Sequence, residues 1–367
     1  ALLDQATAAD PEFAIAWASL GDAWWRKYEQ GAKDKAFVDH ANAAVRKAVE
    51  LAPQQAPVHY SLATMQYRSG RFEEADRSLQ RALQLQPEFD DALRLLAQVQ
   101  AALGRIDDAE ATIKQAQRIS NNWSNWFVLG TVRYRAGRYA AAADAFRRTS
   151  EIVPSNAGAF QMLGTSLYVL GDVQGAVGNY EHAVRLNPNG PSYANLGMAY
   201  YESGRVEEAM HSYEESLRLN PNNALNHRNL ADVYLRIGRT ADAHRQYREA
   251  IDISNAELAN NPRSTGAIGL VALCEARLGL AARARQHAAE AIAVDASNRE
   301  AWQRSAEVHA LLGDSDVALQ HLEAAVARGF EPRMARAEDE LSSLRKRPRF
   351  EEILKAGERS TAQGERQ

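Results

Sequence analysis

The histidines, the paired acidic residues and the single cysteine are the side chains that could support catalysis or metal binding. None of the nine histidines stands at a metal-ligand spacing from a second ligand, and neither an HExxH nor a GxSxG motif occurs. The pairs Glu73-Glu74 and Glu207-Glu208 stand where helices should begin, a position at which the helix dipole favours negative charge. Cys274 lies in the apolar stretch VALCEARL, which favours a buried packing role. We therefore expect no catalytic residue, no metal and no cofactor.

The elements that would position binding residues are indicated by a recurring fourteen-residue pattern. LGMAYYESGRVEEA at 196–209 returns as LATMQYRSGRFEEA at 62–75 and as LGTVRYRAGRYAAA at 129–142. The central glycine recurs at spacings of 34, 33, 34, 33, 34, 41 and 34 residues, at Gly70, Gly104, Gly137, Gly171, Gly204, Gly238, Gly279 and Gly313. A period in this range is typical of solenoids built from stacked structural units.

Within each unit, apolar residues recur three and four positions apart, which predicts two amphipathic helices. In residues 190–221 the two apolar sets are Tyr193, Leu196, Gly197 and Tyr200, followed by Ala209, Tyr213 and Leu217. Gly204 stands between the sets, where a left-handed conformation would end the first helix. Pro221 stands where the second helix must stop. We expect Gly197 to be small because the two helices approach each other closely there.

This pattern closely resembles the tetratricopeptide repeat (TPR) family. One unit matches the family at Trp126, Leu129, Gly130, Gly137, Ala142, Phe146 and Pro154, and the next at Phe160, Leu163, Gly164, Gly171, Ala176, Tyr180, Ala183 and Pro188. The resemblance covers nearly the whole chain. It implies an all-α fold, a right-handed superhelical solenoid of about nine helix-turn-helix repeats with a C-terminal capping helix.

The departures from the period suggest the domain boundaries. We expect residues 1–13 to be the end of a repeat cut from a longer protein, similar to TPR regions of larger bacterial proteins. The nine repeats would occupy 14–332, with insertions near 28–40 and 254–262. The first insertion predicts longer helices or a protruding loop, and the second predicts a longer second helix. Cap helices would follow at 333–359, and a disordered tail at 360–367.

In the TPR family the first helix of each pair lines a concave groove. Positions ten, six, three and two residues before the turn glycine share one helical face. Tyrosine and arginine recur there, and peptide-recognition surfaces are enriched in both. The candidate groove residues are Trp25, Arg26, Tyr60, Tyr67, Arg68, Phe127, Tyr134, Arg135, Tyr168, Asn195, Tyr201, Asn229 and Arg236. The alternative is that these side chains only pack between neighbouring first helices.

Two specialised grooves of the family can be compared with this chain. The carboxylate clamp does not match, because its first position holds Tyr60, Arg94, Phe127 and Gln161 in successive repeats. The asparagine ladder of O-linked N-acetylglucosamine transferases is matched only by Asn195 and Asn229. The later repeats instead place Glu202, Asp232, Glu300 and Glu307 on the predicted groove face. We therefore expect an acidic ligand segment to lie toward the early repeats.

Charge and hydropathy exclude some classes of function. The net charge of −4 and the pI of about 6.2 argue against a nucleic-acid partner, and no apolar run is long enough to insert into a membrane. Homo-oligomerisation is not indicated. We expect a non-catalytic protein-protein interaction scaffold that binds an extended peptide or a partner protein in its groove. The alternative is a substrate-selecting arm of a larger enzyme, a glycosyltransferase or a kinase, whose catalytic domain lies elsewhere.

Overall fold

The computed structural model describes residues 2–30 and 34–364, and this part of the chain is all-α without a strand. The helices are α1 (Leu2–Ala9), α2 (Ala14–Gln30), α3 (Lys35–Leu51), α4 (Ala56–Arg68), α5 (Phe72–Leu85), α6 (Asp90–Ala102), α7 (Ile106–Ile119), α8 (Trp123–Arg135), α9 (Tyr139–Ile152), α10 (Ala157–Leu170), α11 (Val173–Leu186), α12 (Gly190–Glu202), α13 (Val206–Leu219), α14 (Ala224–Arg236), α15 (Thr240–Asn260), α16 (Thr265–Arg277), α17 (Ala281–Val294), α18 (Arg299–Leu311), α19 (Ser315–Ala327), α20 (Pro332–Ala337) and α21 (Pro348–Gly364). A 3-10 helix, Asp339–Leu344, connects α20 to α21.

The chain forms two compact units, unit 1 (Ala1–Ser166) and unit 2 (Leu167–Gln367). In unit 1 the packed pairs are α2 with α3, α4 with α5, α6 with α7, and α8 with α9. In unit 2 they are α12 with α13, α14 with α15, α16 with α17, and α18 with α19. Within each unit the first helices of successive pairs also contact one another, and we call the surface that they form the first-helix face. The all-α repeat architecture is as predicted, while the handedness of the superhelix stays a prediction.

The turn inside each pair from α4 onward follows from one glycine. At Gly204 the φ angle is +80°, and the N–H of Arg205 donates to the carbonyl of Tyr200 at 2.9 Å. Because a side chain disfavours a positive φ angle, glycine is the residue that ends a helix in this way. Gly137 repeats the geometry with a φ of +74°. The predicted turns are therefore confirmed.

Several helices differ from the regular lengths for reasons visible in the sequence. α15 has 21 residues, whereas the second helices α13 and α17 have 14 each, because the extra residues near 254–262 continue its helical pattern. α2 and α3 have 17 residues each, and residues 31–33 of the first predicted insertion lie outside the described part. α21 runs from Pro348 to Gly364, and the disordered tail expected at 360–367 stays a prediction. Residues 365–367 also lie outside the described part.

The core of each unit is built from small residues on one helix facing large residues on its partner. A Cβ atom added at Gly197 would lie 3.1 Å from the ring of Tyr213, and one at Gly130 would lie 2.7 Å from that of Phe146. The close approach predicted at Gly197 is thus present. At the end of unit 2, α19, α21 and the 3-10 helix share a separate apolar cluster that contains Leu341, Leu344 and Phe350, each 0% exposed.

Candidate functional site

Four aromatic candidates of unit 1 are half-buried, and each of their rings contacts another aromatic ring. The centroid distances are 5.2 Å for Tyr60–Phe89, 5.7 Å for Tyr67–Phe72, 5.4 Å for Phe127–Phe146 and 5.1 Å for Tyr134–Tyr139. Burial, together with Tyr139, raises the pKa of Tyr134 above its ordinary value. These rings pack within the repeats and also expose part of their surface, so packing accounts for part of each ring and ligand binding by the rest stays a prediction.

The charged candidates of unit 1 are more accessible. Arg68 donates from Nη1 to Asp22 Oδ1 at 2.7 Å, and Arg26 forms an ion pair with the same carboxylate. Arg135 is exposed at the end of α8. Trp25 differs from the expectation, because it is only 5% exposed and packs in an apolar cluster with Ala41, Val45 and Met65. Its register turns it into the core, so it offers little surface to a ligand.

In unit 2 the candidate residues surround a cavity of about 500 Å³ on the first-helix face. Tyr168, Tyr201, Asn229 and Arg236 all line it, while Asn195 is half-buried and does not. Arg236 stacks on the ring of Tyr201 at 4.8 Å and donates to the Tyr201 carbonyl at 3.3 Å. The helical offsets used to choose these residues therefore do bring them together in this unit.

The other wall of the cavity is formed by side chains of the stretch 333–345, which we call the groove segment, chiefly those from Met334 to Glu340. The Tyr201 hydroxyl donates to Asp339 Oδ2 at 2.7 Å, and Arg333 donates to Glu202 Oε1 at 2.8 Å. Glu340 accepts from Arg277 Nη2 at 2.8 Å and also pairs with Arg228. The groove segment is thus held by the first helices α12, α14 and α16 through polar side chains.

An ion-pair network lies beneath Glu340. Arg228 Nε lies 2.8 Å from Asp232 Oδ2, and Arg277 Nε lies 3.6 Å from Asp232 Oδ1. Burial alone would raise the pKa of Glu340, but Arg228 and Arg277 outweigh it and lower that pKa to about 2. Burial also raises the pKa of Asp232, against the opposing effect of Arg228. The two arginines therefore need the carboxylate of Glu340 as well as that of Asp232.

Glu338 has the opposite environment. Burial, together with the negative charges of Glu307 and Glu340, raises the pKa of Glu338 to about 8, although Arg228 and Arg304 act against this shift. Two carboxyl groups of one short segment, Glu338 and Glu340, are thus driven to different protonation states. The segment presents one firmly ionised carboxylate and one that titrates near neutral pH.

The expectation of an acidic face on the later repeats was wrong for a local reason. Asp232 pairs with Arg228 and Glu307 pairs with Arg304, each within one helical turn, and Glu202 pairs with Arg333 of the groove segment. Arg228 and Arg304 were not among the candidate groove residues, and they stand ten and nine residues before their turn glycines. Following the same offset in every repeat would have found Arg228.

Comparisons with known proteins agree with this architecture. Family models described as tetratricopeptide or TPR repeat match residues 1–56, 121–157, 56–81, 69–127, 197–238 and 228–262. These matches extend over more than half of the chain. The chain therefore belongs to the tetratricopeptide repeat family. A search of curated proteins found no match.

Among solved structures, the APC/C hetero-tetramer Cut9-Hcn1 is 14% identical over 97% of this chain and 71% of that chain, with a TM-score of 0.51. PilF of Pseudomonas aeruginosa is 19% identical over 56% of this chain and 92% of that one, with a TM-score of 0.48. YrrB, described as a TPR protein with an unusual peptide-binding site, is 20% identical over 50% and 95%, with a TM-score of 0.39. At these identities the likeness concerns the fold.

Proposed function

We propose that this protein is a non-catalytic scaffold that binds an extended segment of a partner protein on the first-helix face of unit 1. The observation that carries the proposal is the arrangement of partly exposed aromatic rings beside arginines on that face. Tyr134 is half-buried next to the exposed Arg135, and Tyr67 is half-buried next to Arg68. Rings and guanidinium groups in this arrangement give a peptide both apolar contact and carboxylate or carbonyl recognition.

Charge supports a protein partner over a nucleic acid. The chain has a net charge of −4, and Arg68 and Arg26 already share the carboxylate of Asp22. Nucleic-acid affinity depends on unneutralised basic residues along a continuous stripe. No helix among the described residues has the length and apolarity needed to cross a membrane. The net charge thus favours a protein segment as the ligand.

Peptides that bind the whole chain are first selected by phage display. Their affinity is then measured for a double arginine variant and for a control arginine variant. We expect the double variant Arg68→Ala, Arg135→Ala to bind the selected peptides about tenfold or more weakly, because it removes the two guanidinium groups that stand next to the tyrosines of the face. The matched control is Arg147→Ala on the second helix α9, where the side chain is 49% exposed and only pairs with Asp144. Unchanged affinity in the double variant would contradict the proposal.

A further inference from the structure

The groove segment places three consecutive acidic residues, Glu338, Asp339 and Glu340, against the first-helix face of unit 2. Asp339 accepts a hydrogen bond from Tyr201, which belongs to the tyrosine stripe predicted to meet a ligand. Glu340 meets Arg277, which stands two residues before its turn glycine. The segment therefore uses the positions that a bound peptide would use.

The arginines of the first-helix face of unit 2 can pair with one carboxylate more than the face itself supplies. Without the groove segment, Arg228 and Arg277 share only Asp232, while Arg304 has its own partner in Glu307. With the groove segment in place, the Arg228 side chain is only 11% exposed, so its positive charge needs a carboxylate partner wherever the face is covered in this way. Glu340 supplies the missing charge. Any other occupant of the face would have to bring a carboxylate to the same point.

The groove segment is attached differently on its two sides. Leu341 and Leu344 are fully buried among cap residues such as Phe350, which tethers the segment to the end of unit 2. Toward α12 and α14 the segment forms ion pairs and hydrogen bonds across the cavity, such as Arg333–Glu202 and Tyr201–Asp339, and one apolar side chain, Met334, packs against the core of unit 2. Charge-assisted contacts of this kind can be exchanged for equivalent contacts with another acidic peptide, whereas the apolar tether can stay in place.

We propose that the groove segment is an intramolecular ligand of unit 2, and that the first-helix face of unit 2 recognises an acidic segment of a partner protein in its place. This inference rests on the proposed function in one respect, that first-helix faces of this chain bind peptides. It adds the chemical class of the ligand, a short acidic peptide, and the competitor that an incoming ligand must displace. Because the competitor is tethered, its effective concentration is high and the unaltered chain should bind a free peptide weakly.

The experiment uses the whole chain and the labelled peptide RMARAEDELSSLR, which copies residues 333–345. In the double variant Asp339→Asn, Glu340→Gln the segment loses its carboxylate contacts with Tyr201 and Arg277. We expect this variant to bind the peptide about tenfold or more tightly than the unaltered chain does, as measured by fluorescence anisotropy. A labelled peptide that carries the same two substitutions should bind the double variant no more tightly than it binds the unaltered chain.

Two further variants separate recognition from a change in folding. Adding Arg277→Gln to the double variant should abolish peptide binding, because the guanidinium that meets Glu340 is gone. Adding Arg147→Ala, on unit 1, should leave binding unchanged. Equal binding by the unaltered chain and the double variant, no binding by either, or binding insensitive to Arg277→Gln would each overturn the inference. These outcomes are independent of the arginine variants that test unit 1.

Discussion

Two glycines inside helices of this chain differ in whether another side chain lies close to the Cα atom. An added Cβ atom at Gly130 would lie 2.7 Å from the ring of Phe146, whereas one at Gly178 in α11 would meet nothing within 4 Å. The first glycine is therefore required by packing between two helices. The second only weakens its helix, because glycine leaves the unfolded backbone more freedom to lose.

Replacing these two glycines by alanine should change stability in opposite directions. We expect Gly130→Ala to lower the free energy of unfolding by about 1–3 kcal/mol, since the Phe146 ring must shift. Gly178→Ala should raise it by about 0.5–1 kcal/mol. Urea denaturation followed by circular dichroism measures both. If Gly130→Ala were as stable as the parent chain, the helices would have to be able to separate at no cost.

Glu338 makes stability depend on pH. Its pKa is raised to about 8 in the folded state, so between its ordinary value and 8 the folded chain holds a proton that the unfolded chain has released. The contribution of Glu338 to the free energy of unfolding is therefore complete at low pH and falls as the pH rises through that window. The carboxylate faces Glu307 and Glu340 as well as Arg228 and Arg304.

Glu338→Gln should remove this dependence, because glutamine keeps the shape of the side chain without the charge. At about pH 9 the variant should gain about 1–3 kcal/mol in the free energy of unfolding, while at about pH 4 the gain should vanish. Thermal midpoints measured across this range provide the test. Parallel curves for the two proteins would mean that the group titrates normally.

At the scale of elements, the helix pairs could be predicted from sequence and the groove segment could not. The turn at Gly204 and the close approach at Gly197 depend on residues near each other in the chain, so the local pattern contained both. The contact of Tyr201 with Asp339 joins residues 138 positions apart. No periodic signal links them, and the cap was recognisable only as a departure from the period.

The 3-10 helix should control whether the groove segment stays on unit 2. Leu344→Ala removes a fully buried side chain from the cap and should lower the free energy of unfolding of unit 2 by about 2–5 kcal/mol. Hydrogen exchange should then accelerate in residues 337–344. Leu280→Ala is the control, since Leu280 is 41% exposed, and its effect should stay within about 0.5 kcal/mol. Unchanged exchange in residues 337–344 of the Leu344 variant would show that the cap does not hold the segment.

At the scale of the whole molecule, each helix pair buries its apolar face against its neighbours in sequence. The all-α class could therefore be predicted from the recurring apolar positions, and the family from the aromatic, glycine, alanine and proline positions that successive units share. The ion pairs on the first-helix face could not be predicted from single positions, because each pair joins two positions. Arg228 and Asp232 stand four residues apart on one helix, and only considering them together shows that they neutralise each other.

The loss of one buried side chain should therefore destabilise mainly the repeats next to it. Leu196 is 5% exposed in α12, and Leu196→Ala should cost about 2–5 kcal/mol in local stability. Hydrogen exchange should accelerate in α11 to α14 and remain close to that of the parent chain in α18 and α19, because the repeats interact mainly with their nearest neighbours. A uniform acceleration throughout unit 2 would indicate all-or-none unfolding instead.

The turn at Gly204 also affects which insertions and deletions in the gene are compatible with the fold. From α4 onward, each turn closes its own helix pair with a backbone hydrogen bond between residues five positions apart, so the turn depends only on nearby residues. A duplication or loss of one 34-residue block would join one standard turn to another and keep every helix in register. Length variants of this protein should therefore differ by whole repeats, while the cap and its acidic segment stay unique at the end.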